Sequence, residues 1–328
     1  MSGRVAATNG QPEGRPSRQI NVILRSQEAP VLNKVVPDHE PVKVNKKQAE
    51  QSLYQEIQRE LDQLIGLDNI KELVHEIYAV LQVAQLRSEA GLASGGHVYH
   101  MIFKGNPGTG KTTVARIIAK LFQKMGVLSK GHLIEVERAD LVGEYIGHTA
   151  QKTRELVKKS MGGILFIDEA YSLARGGEKD FGKEAIDTLV KSMEDNKNQF
   201  ILILAGYSEE MEFFLQTNPG LPSRFPIQVD FSDYSVDQLI QISEVMAKER
   251  DYILMPQAIL KLKQHILQEK NESLHPFSNG RYIRNMIEKS IRNHAVRLLN
   301  QYVNSQPGKL ELMTLRTEDF KLDLKQGL

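Results

Sequence analysis

One eight-residue stretch predicts the fold, Gly105-Asn106-Pro107-Gly108-Thr109-Gly110-Lys111-Thr112, and it fits the pattern G-x-x-x-x-G-K-[ST]. A strand-like apolar run at 99–103 precedes it, and an apolar pattern of helical period follows at 114–122. Glycines at both ends let the backbone direct its N–H groups toward phosphate at a helix N-terminus. In such loops the lysine reaches the β- and γ-phosphates, and the following hydroxyl holds Mg²⁺. The simpler interpretation, a glycine turn with a solvated lysine, does not explain the strand before the loop or the helix after it.

Two carboxylates follow another buried run. Residues 163–167 are apolar after their first glycine, as expected of a strand covered on both faces of a parallel sheet, and Asp168 and Glu169 come next. Ligands of such sheets bind beyond the carboxyl ends of the strands. We therefore expect Asp168 to hold Mg²⁺ and Glu169 to polarise an attacking water. Taken alone, two acids at the end of a strand are more typical of a solvated turn, and the phosphate loop upstream is what favours the functional interpretation.

Composition limits the classes of protein to consider. The chain has 328 residues, of which 41% are hydrophobic and 25% charged, which is enough for about two globular domains. A net charge of +1 favours neither nucleic acid nor membrane surfaces, and the absence of cysteine excludes disulfides and thiolate chemistry. The apolar runs are far shorter than the ~20 residues of a membrane span, and the N-terminus does not resemble a signal peptide. We expect a cytoplasmic protein without membrane partners.

Changes in composition divide the chain into three parts. Residues 1–46 carry five of the twelve prolines and are predicted to form a flexible arm, with one short strand pattern at 19–25 that is either docked or disordered. Residues 47–231 are predicted to form an α/β nucleotide-binding domain with leading helices. The remaining residues, 232–328, have helical patterns that begin at the capping box Ser235-Val236-Asp237-Gln238. A helical second domain should follow the sheet.

Three loops contain further candidate residues. Ile65 and Gly66 interrupt the leading helical pattern, where a tight glycine turn can approach a flat ligand such as adenine, although an ordinary helix–helix turn has the same sequence. Tyr145 and Ile146 lie between glycines, on a loop where apolar side chains indicate a binding role. Residues 218–226 form a proline-rich loop, predicted to be rigid, that holds one arginine, Arg224.

This order of elements resembles that of the AAA+ ATPases. Within them, residues 141–147 (LVGEYIG), 166–171 (FIDEAY), 204–207 (LAGY) and 279–285 (NGRYIRN) resemble the CbbX-like branch, over about 50–325. The resemblance implies a P-loop module with a five-stranded parallel sheet flanked by helices, followed by a helical lid. It also implies an ATP-hydrolysing ring, usually hexameric, that acts on a protein substrate in its pore.

The resemblance assigns roles residue by residue. Arg224 falls at the position of the arginine finger, which a neighbouring subunit supplies, and Arg281 falls at the sensor-2 position. Tyr145, Ile146 and Gly147 match the substrate pore loop. The predicted catalytic residues are Glu169, Arg224 and Lys111, and the predicted Mg²⁺ ligands are Thr112 and Asp168. The predicted ATP-binding residues are Gly105, Asn106, Pro107, Gly108, Thr109, Gly110, Lys111, Thr112, Thr113, Ile65, Gly66 and Arg281.

One departure and two alternatives remain open. Many AAA+ proteins have Asn, Ser or Thr after the fourth strand as sensor 1, whereas this chain has Gly206-Tyr207-Ser208, so that role is unassigned. A nucleic-acid-dependent AAA+ motor shares the fold, but the near-neutral charge and the Tyr145 loop argue against it, and no nucleic-acid partner is expected. A nucleotide-sensing scaffold with little turnover is disfavoured by the complete set of acids and arginines.

Overall fold

The computed structural model describes residues 46–93, 96–145, 147–176, 180–197, 199–218, 220–272 and 276–321. The arm, with the strand predicted at 19–25, lies outside these residues apart from Lys46. Among the helices of the described ranges, none is both long enough and apolar enough to cross a membrane.

A five-stranded parallel sheet forms the centre of the α/β part, as the sequence predicted. Its strands are β1 (Met101–Gly105), β2 (Leu133–Val136), β3 (Ile164–Ile167), β4 (Ile201–Gly206) and β5 (Ile227–Phe231). Their spatial order is β2-β3-β4-β1-β5, and every neighbouring pair is parallel. Leu204 on β4 lies opposite both Ile102 on β1 and Ile167 on β3. The segments that follow β1, β3 and β4 therefore meet at one edge of the sheet.

Helices cover both faces of this sheet, because alternate residues of each strand are buried on opposite sides. Met101 and Phe103 pack in one core cluster, whereas Ile102 packs in the other. The first cluster includes residues of α1 (Lys46–Asp62), α2 (Asp68–Glu89) and α3 (Lys111–Lys124). The second includes residues of α4 (Arg138–Leu141), α5 (His148–Lys159), α6 (Gly182–Asp195), α7 (Ser208–Gln216) and a 3₁₀ turn at Ala170–Ala174.

The structure of the loop predicted at residues 218–226 differs from the prediction in one respect. It contains a single helical turn, α8 (Leu221–Arg224), that ends at the candidate arginine. Pro222 lies in the first turn of α8, where its fixed φ suits a helix and its missing N–H leaves no bond unmade. The two prolines flanking the arginine had suggested only a rigid loop.

The helical part has its own core, which includes Leu239, Leu262, Ile287 and Phe320. Its helices are α9 (Val236–Lys248), α10 (Pro256–Glu272), α11 (Asn279–Gln301) and α12 (Lys309–Met313), with a 3₁₀ turn at Thr317–Asp319. The predicted capping box is present, since Ser235 accepts from the Gln238 amide and Gln238 accepts from the Ser235 amide. Two short strands that the sequence did not predict, β6 (Ile253–Leu254) and β7 (Thr314–Leu315), pair in parallel.

Candidate active site

A cleft of about 1300 Å³ opens at the edge of the sheet where β1, β3 and β4 end. Its lining includes the loop after β1, the acids after β3, the segment after β4 and the start of α11 in the helical part, together with residues from α1, the turn before α2, α3, β2 and α9. Lys111, Thr112, Asp168, Glu169 and Arg281 all line it. The structure thus brings together five candidate residues that the sequence separates by up to 170 positions.

The loop after β1 has the backbone shape that its glycines predict. Gly105 has φ 148°, and a Cβ at this position would lie 2.3 Å from the carbonyl oxygen of Phe231 on β5. No other residue fits without displacing that strand. Two side chains of the loop hold it in shape instead of facing the cleft. Thr109 is buried and donates to Asn106 O at 2.8 Å, while Asn106 donates to the carboxylate of Asp233 at 2.9 and 3.0 Å.

Lys111 begins α3 and bends back over the loop. Its Nζ donates to the carbonyl oxygens of Gly105 and Asn106, both at 2.8 Å. Burial lowers the pKa of Lys111 to about 8; Asp168 opposes this shift and Arg281 adds to it. The ammonium is therefore held where charge is costly, which favours a bound anion as its partner.

Oxygen atoms suited to a hard cation lie beside the lysine. Thr112 donates from Oγ1 to Glu135 Oε1 at 3.3 Å, and Arg116 pairs with the other oxygen of that carboxylate at 3.2 Å. Asp168 follows β3 directly and lines the same cleft. Among the described residues no group of three or more His, Cys, Asp or Glu side chains forms a metal site. The donor set fits Mg²⁺, which takes one or two protein oxygens and completes its shell with water and phosphate.

Glu169 has an unusual backbone conformation. Its φ is 47° and its ψ is 42°, in the left-handed region that non-glycine residues seldom adopt. Its amide donates to Asp168 Oδ1 at 3.0 Å, so the two acids are fixed relative to each other. Its side chain is exposed to the cleft and also lines a second cavity of about 510 Å³. Such strain, of order 1–3 kcal/mol, is typical of functional positions.

The remaining cleft residues divide into those that line it and those that support it. Pro107, Gly108, Gly110, Thr113 and Ile65, which were predicted to bind ATP, line the cleft. Gly66 has φ 65° and instead approaches α9, because a Cβ there would lie 2.5 Å from Gln238 Nε2. At the unassigned sensor-1 position, the structure places Gly206 and Tyr207 in the cleft lining.

Arg224 is absent from the cleft lining of its own chain. Its Nη1 donates to Gly220 O at 2.8 Å, and its Nη2 donates to the carboxylate of Glu194 on α6. The guanidinium is part-buried, and the Glu194 side chain is 53% exposed.

Tyr145 projects from the loop before α5 and is 65% exposed. Its ring meets His148 edge-on, with 5.4 Å between centroids. Gly147 precedes the first residue of α5 at φ 82°, whereas Ile146 lies outside the described residues.

Sequence reasoning missed Glu135 and Tyr234. Glu135 lies on β2, which pairs with β3, the strand that the two acids follow. An acidic residue on a strand next to β3 was the signal that could have indicated it. Tyr234 also lines the cleft, but its contact with the loop spans 125 positions, and no local pattern indicates such a contact.

A parallel sheet with a phosphate loop after β1 and paired acids after β3 defines a P-loop nucleotide hydrolase with a helical second part. The chain belongs to the AAA ATPases: residues 101–233 match the family described as "ATPase family associated with various cellular activities (AAA)", and residues 235–327 match the AAA lid domain. It is therefore an ATPase that converts ATP to ADP and phosphate.

Relatives place it in the expected branch. The chain is 58% identical over 307 residues to Stage V sporulation protein K of Bacillus subtilis, covering 93% of this chain and 94% of that protein. It is 43% identical to Protein CbbX of Cereibacter sphaeroides (81% and 86% covered). It is also 43% identical to the chloroplastic ribulose bisphosphate carboxylase/oxygenase activase of Cyanidioschyzon merolae (82% and 92% covered).

Proposed function

We propose that six copies of the chain form a ring in which ATP hydrolysis moves a protein substrate through a central pore. One observation carries the proposal: Arg224 lies outside the cleft that holds Lys111, both acids and Arg281, and is paired with Glu194 instead. The cleft of one chain therefore lacks the arginine finger that the AAA+ resemblance implies. A neighbouring copy completes the site.

Each residue then has a defined task during hydrolysis. The backbone N–H groups of the phosphate loop and Lys111 hold the phosphates. Thr112 and Asp168 would hold Mg²⁺, which would neutralise charge on the phosphate oxygens. Glu169 orients a water for attack on the γ-phosphorus. Arg224 of the neighbouring copy stabilises the charge that develops on the transferring group. Arg281 contacts the phosphates from the lid.

A second cavity supports coupling between hydrolysis and the pore loop. Asp168 and Glu169 share it with Val142, Gly143 and Glu144, the residues immediately before Tyr145. Movement of the acids with nucleotide state is thereby passed to an exposed aromatic side chain. An exposed aromatic side chain can grip a polypeptide with little sequence preference.

The names of two relatives suggest the biological setting. One is a sporulation protein and the other an activase of a carboxylase. The greater identity to the sporulation protein favours a role in bacterial spore formation, with remodelling of a protein as the activity. The substrate is a protein to be identified.

Turnover as a function of protein concentration tests ring formation. ATPase activity per chain should rise with concentration in parallel with assembly measured by light scattering. A constant activity per chain in a fully monomeric sample would exclude the shared site. Addition of DNA should leave the rate unchanged, and DNA stimulation would favour the nucleic-acid motor.

Trapping tests the action on protein. Glu169→Gln should bind ATP yet hydrolyse it at least ~100-fold more slowly, a loss typical of removing a catalytic carboxylate. This variant, with ATP and a lysate of sporulating cells, should retain a client. The double variant that also carries Tyr145→Ala should bind ATP equally and retain none. Equal retention by both would remove Tyr145 from substrate contact.

A further inference from the structure

Three consecutive carbonyl groups of the phosphate loop accept hydrogen bonds from outside the sheet domain. Pro107 O accepts from Asn279 Nδ2 at 3.4 Å, and Gly108 O accepts from the Gly280 amide at 3.0 Å. Thr109 O accepts from the hydroxyl of Tyr234 at 3.1 Å. Asn279 and Gly280 begin α11, and Tyr234 precedes α9. The helical part thus supplies one hydrogen-bond donor to each of these three carbonyl groups.

The geometry of the peptide bond gives these contacts a consequence for phosphate. In a trans peptide the C=O and the following N–H lie in one plane and point in opposite directions. Fixing the carbonyls of residues 107, 108 and 109 therefore fixes the directions of the N–H groups of residues 108, 109 and 110. Because the carbonyls face the helical part, these N–H groups are turned away from it.

Close packing leaves little freedom at this contact. Gly108 has φ 71°, and a Cβ there would lie 2.4 Å from Ser278 O and 2.6 Å from the Arg281 amide nitrogen. Any larger residue at this position would separate the loop from the start of α11.

A buried polar network holds the donors in place. Asn279 is fully buried with φ 42°, and its Oδ1 accepts from the Tyr234 amide at 3.0 Å. Its Nδ2 also donates to Asp233 Oδ1 at 2.7 Å, and Asp233 in turn accepts from Asn106 of the loop. Tyr234 is 7% exposed. Hydrogen bonds therefore connect the phosphate loop, residues 233 and 234 before α9, and the start of α11.

We propose that Tyr234 and Asn279 are positioning residues through which the helical part sets the orientation of the phosphate-binding N–H groups. This inference rests on the proposed assignment of residues 105–112 to the phosphates. Phosphate affinity and docking of the helical part are then linked, so each strengthens the other by the same factor. This route differs from a side chain touching the nucleotide, because the three hydrogen bonds are accepted by carbonyl groups of the loop itself.

Tyr234→Phe tests the proposal with the loss of one oxygen atom. Removing one neutral hydrogen bond should weaken binding of ADP and of a non-hydrolysable ATP analogue by the same factor, about 2- to 12-fold by calorimetry. KM for ATP should rise while kcat changes little, because the loop holds the ground state and the transition state alike. The matched control is Tyr282→Phe, which removes a lid hydroxyl bonded to His265 Nε2 at 2.6 Å and should leave both affinities unchanged.

Amide hydrogen exchange gives a second readout that does not depend on nucleotide. In Tyr234→Phe the peptide spanning 105–112 should exchange faster, with no change in peptides from the lid core. Native ADP affinity together with native exchange in the loop would overturn the inference. A native chain that binds no ADP would instead overturn the assignment of the loop to phosphate, and the exchange data would still test the contact.

Discussion

Arg224 and Glu194 form an ion pair within one chain, between the last residue of α8 and the C-terminal turn of α6. Arg224 does not line the cleft of that chain. An arginine that serves hydrolysis from this position has to act on the cleft of another copy, and this requirement leads to a mixing experiment.

Mixing two inactive variants should restore turnover. Arg224→Ala keeps an intact cleft but supplies no arginine, and Glu169→Gln supplies the arginine but has no water-orienting acid. Arg224→Ala should be at least ~10³-fold slower than the native chain, the scale expected for an arginine finger, and Glu169→Gln at least ~100-fold slower. In a mixture, interfaces that pair Glu169 of one copy with Arg224 of another become active. Mixtures as slow as either parent would place both residues in one chain's site.

If Arg224 serves a neighbouring cleft as proposed, Glu194 should compete with the nucleotide for it. The hydrogen bond from Arg224 lowers the pKa of Glu194, so the carboxylate is charged at neutral pH. Exposed ion pairs contribute little because solvent screens them, so release of the arginine should change the rate by at most about fivefold. Glu194→Gln should raise the ATPase rate within that limit and weaken its salt dependence. Asp195→Asn, which removes the adjacent negative charge, should leave the rate unchanged. A lower rate for Glu194→Gln would mean that the pair orients the arginine instead.

The fold followed from local patterns. Apolar runs at 99–103 and 163–167 predicted β1 and β3, and the capping box at Ser235 predicted the start of α9, because these signals depend on neighbouring residues. Lys111 and Asp168 could also be predicted to lie close together, because each follows a strand and the carboxyl ends of parallel strands meet at one edge of the sheet.

Contacts between distant segments were beyond sequence reasoning. Tyr234 meets Thr109 across 125 positions and Asn279 meets Pro107 across 172, and neither pair leaves a periodic signal. The short strands β6 and β7 were missed because two residues are too few to show alternation. The helical turn of α8 was missed because its prolines also suit a loop.

His100 makes the fold sensitive to acid. Burial lowers the pKa of His100 to about 4, and its Nδ1 accepts from the Leu202 amide at 3.0 Å, a bond that requires the neutral ring. The unfolded chain has the ordinary pKa of 6.5, so it binds more protons between pH 6.5 and 4. The stability that depends on neutral His100 is present above pH 6.5 and is lost as pH falls toward 4.

Urea unfolding at pH 7.5 and pH 5 measures this effect. The native chain should lose about 2 kcal/mol more over this interval than His100→Asn, whose amide oxygen replaces Nδ1 without titrating. The asparagine variant is expected to be less stable at pH 7.5 because it leaves a cavity, so the comparison uses each variant's own change with pH. Equal losses would mean that His100 does not titrate between the two states.

Lys111 should make ATP binding weaken in alkaline solution. Its pKa in the structure is about 8, lowered first by burial, and the triphosphate raises that pKa because it favours the charged ammonium. The protonated chain is the form that binds, so affinity is greatest below pH 8 and falls as pH rises above it. Between pH 7.5 and 9.5 the dissociation constant should increase by roughly 25-fold at most, in step with loss of the free ammonium. Calorimetry at pH 8.5 in buffers of different ionisation enthalpy should show proton uptake.

Lys111→Arg separates this titration from other effects of alkali. The guanidinium stays charged throughout the range, so its binding, although weaker because the fork fits the loop carbonyls less well, should not change between pH 7.5 and 9.5. Tyr234, the other buried group of the cleft, has its pKa raised to about 12 by burial and remains neutral at both values. A native chain with the same flat profile as the arginine variant would show that Lys111 is fully charged at pH 9.5 and is not strongly desolvated. A native chain that takes up part of a proton on binding at pH 8.5 would support a lysine that is partly neutral until phosphate arrives.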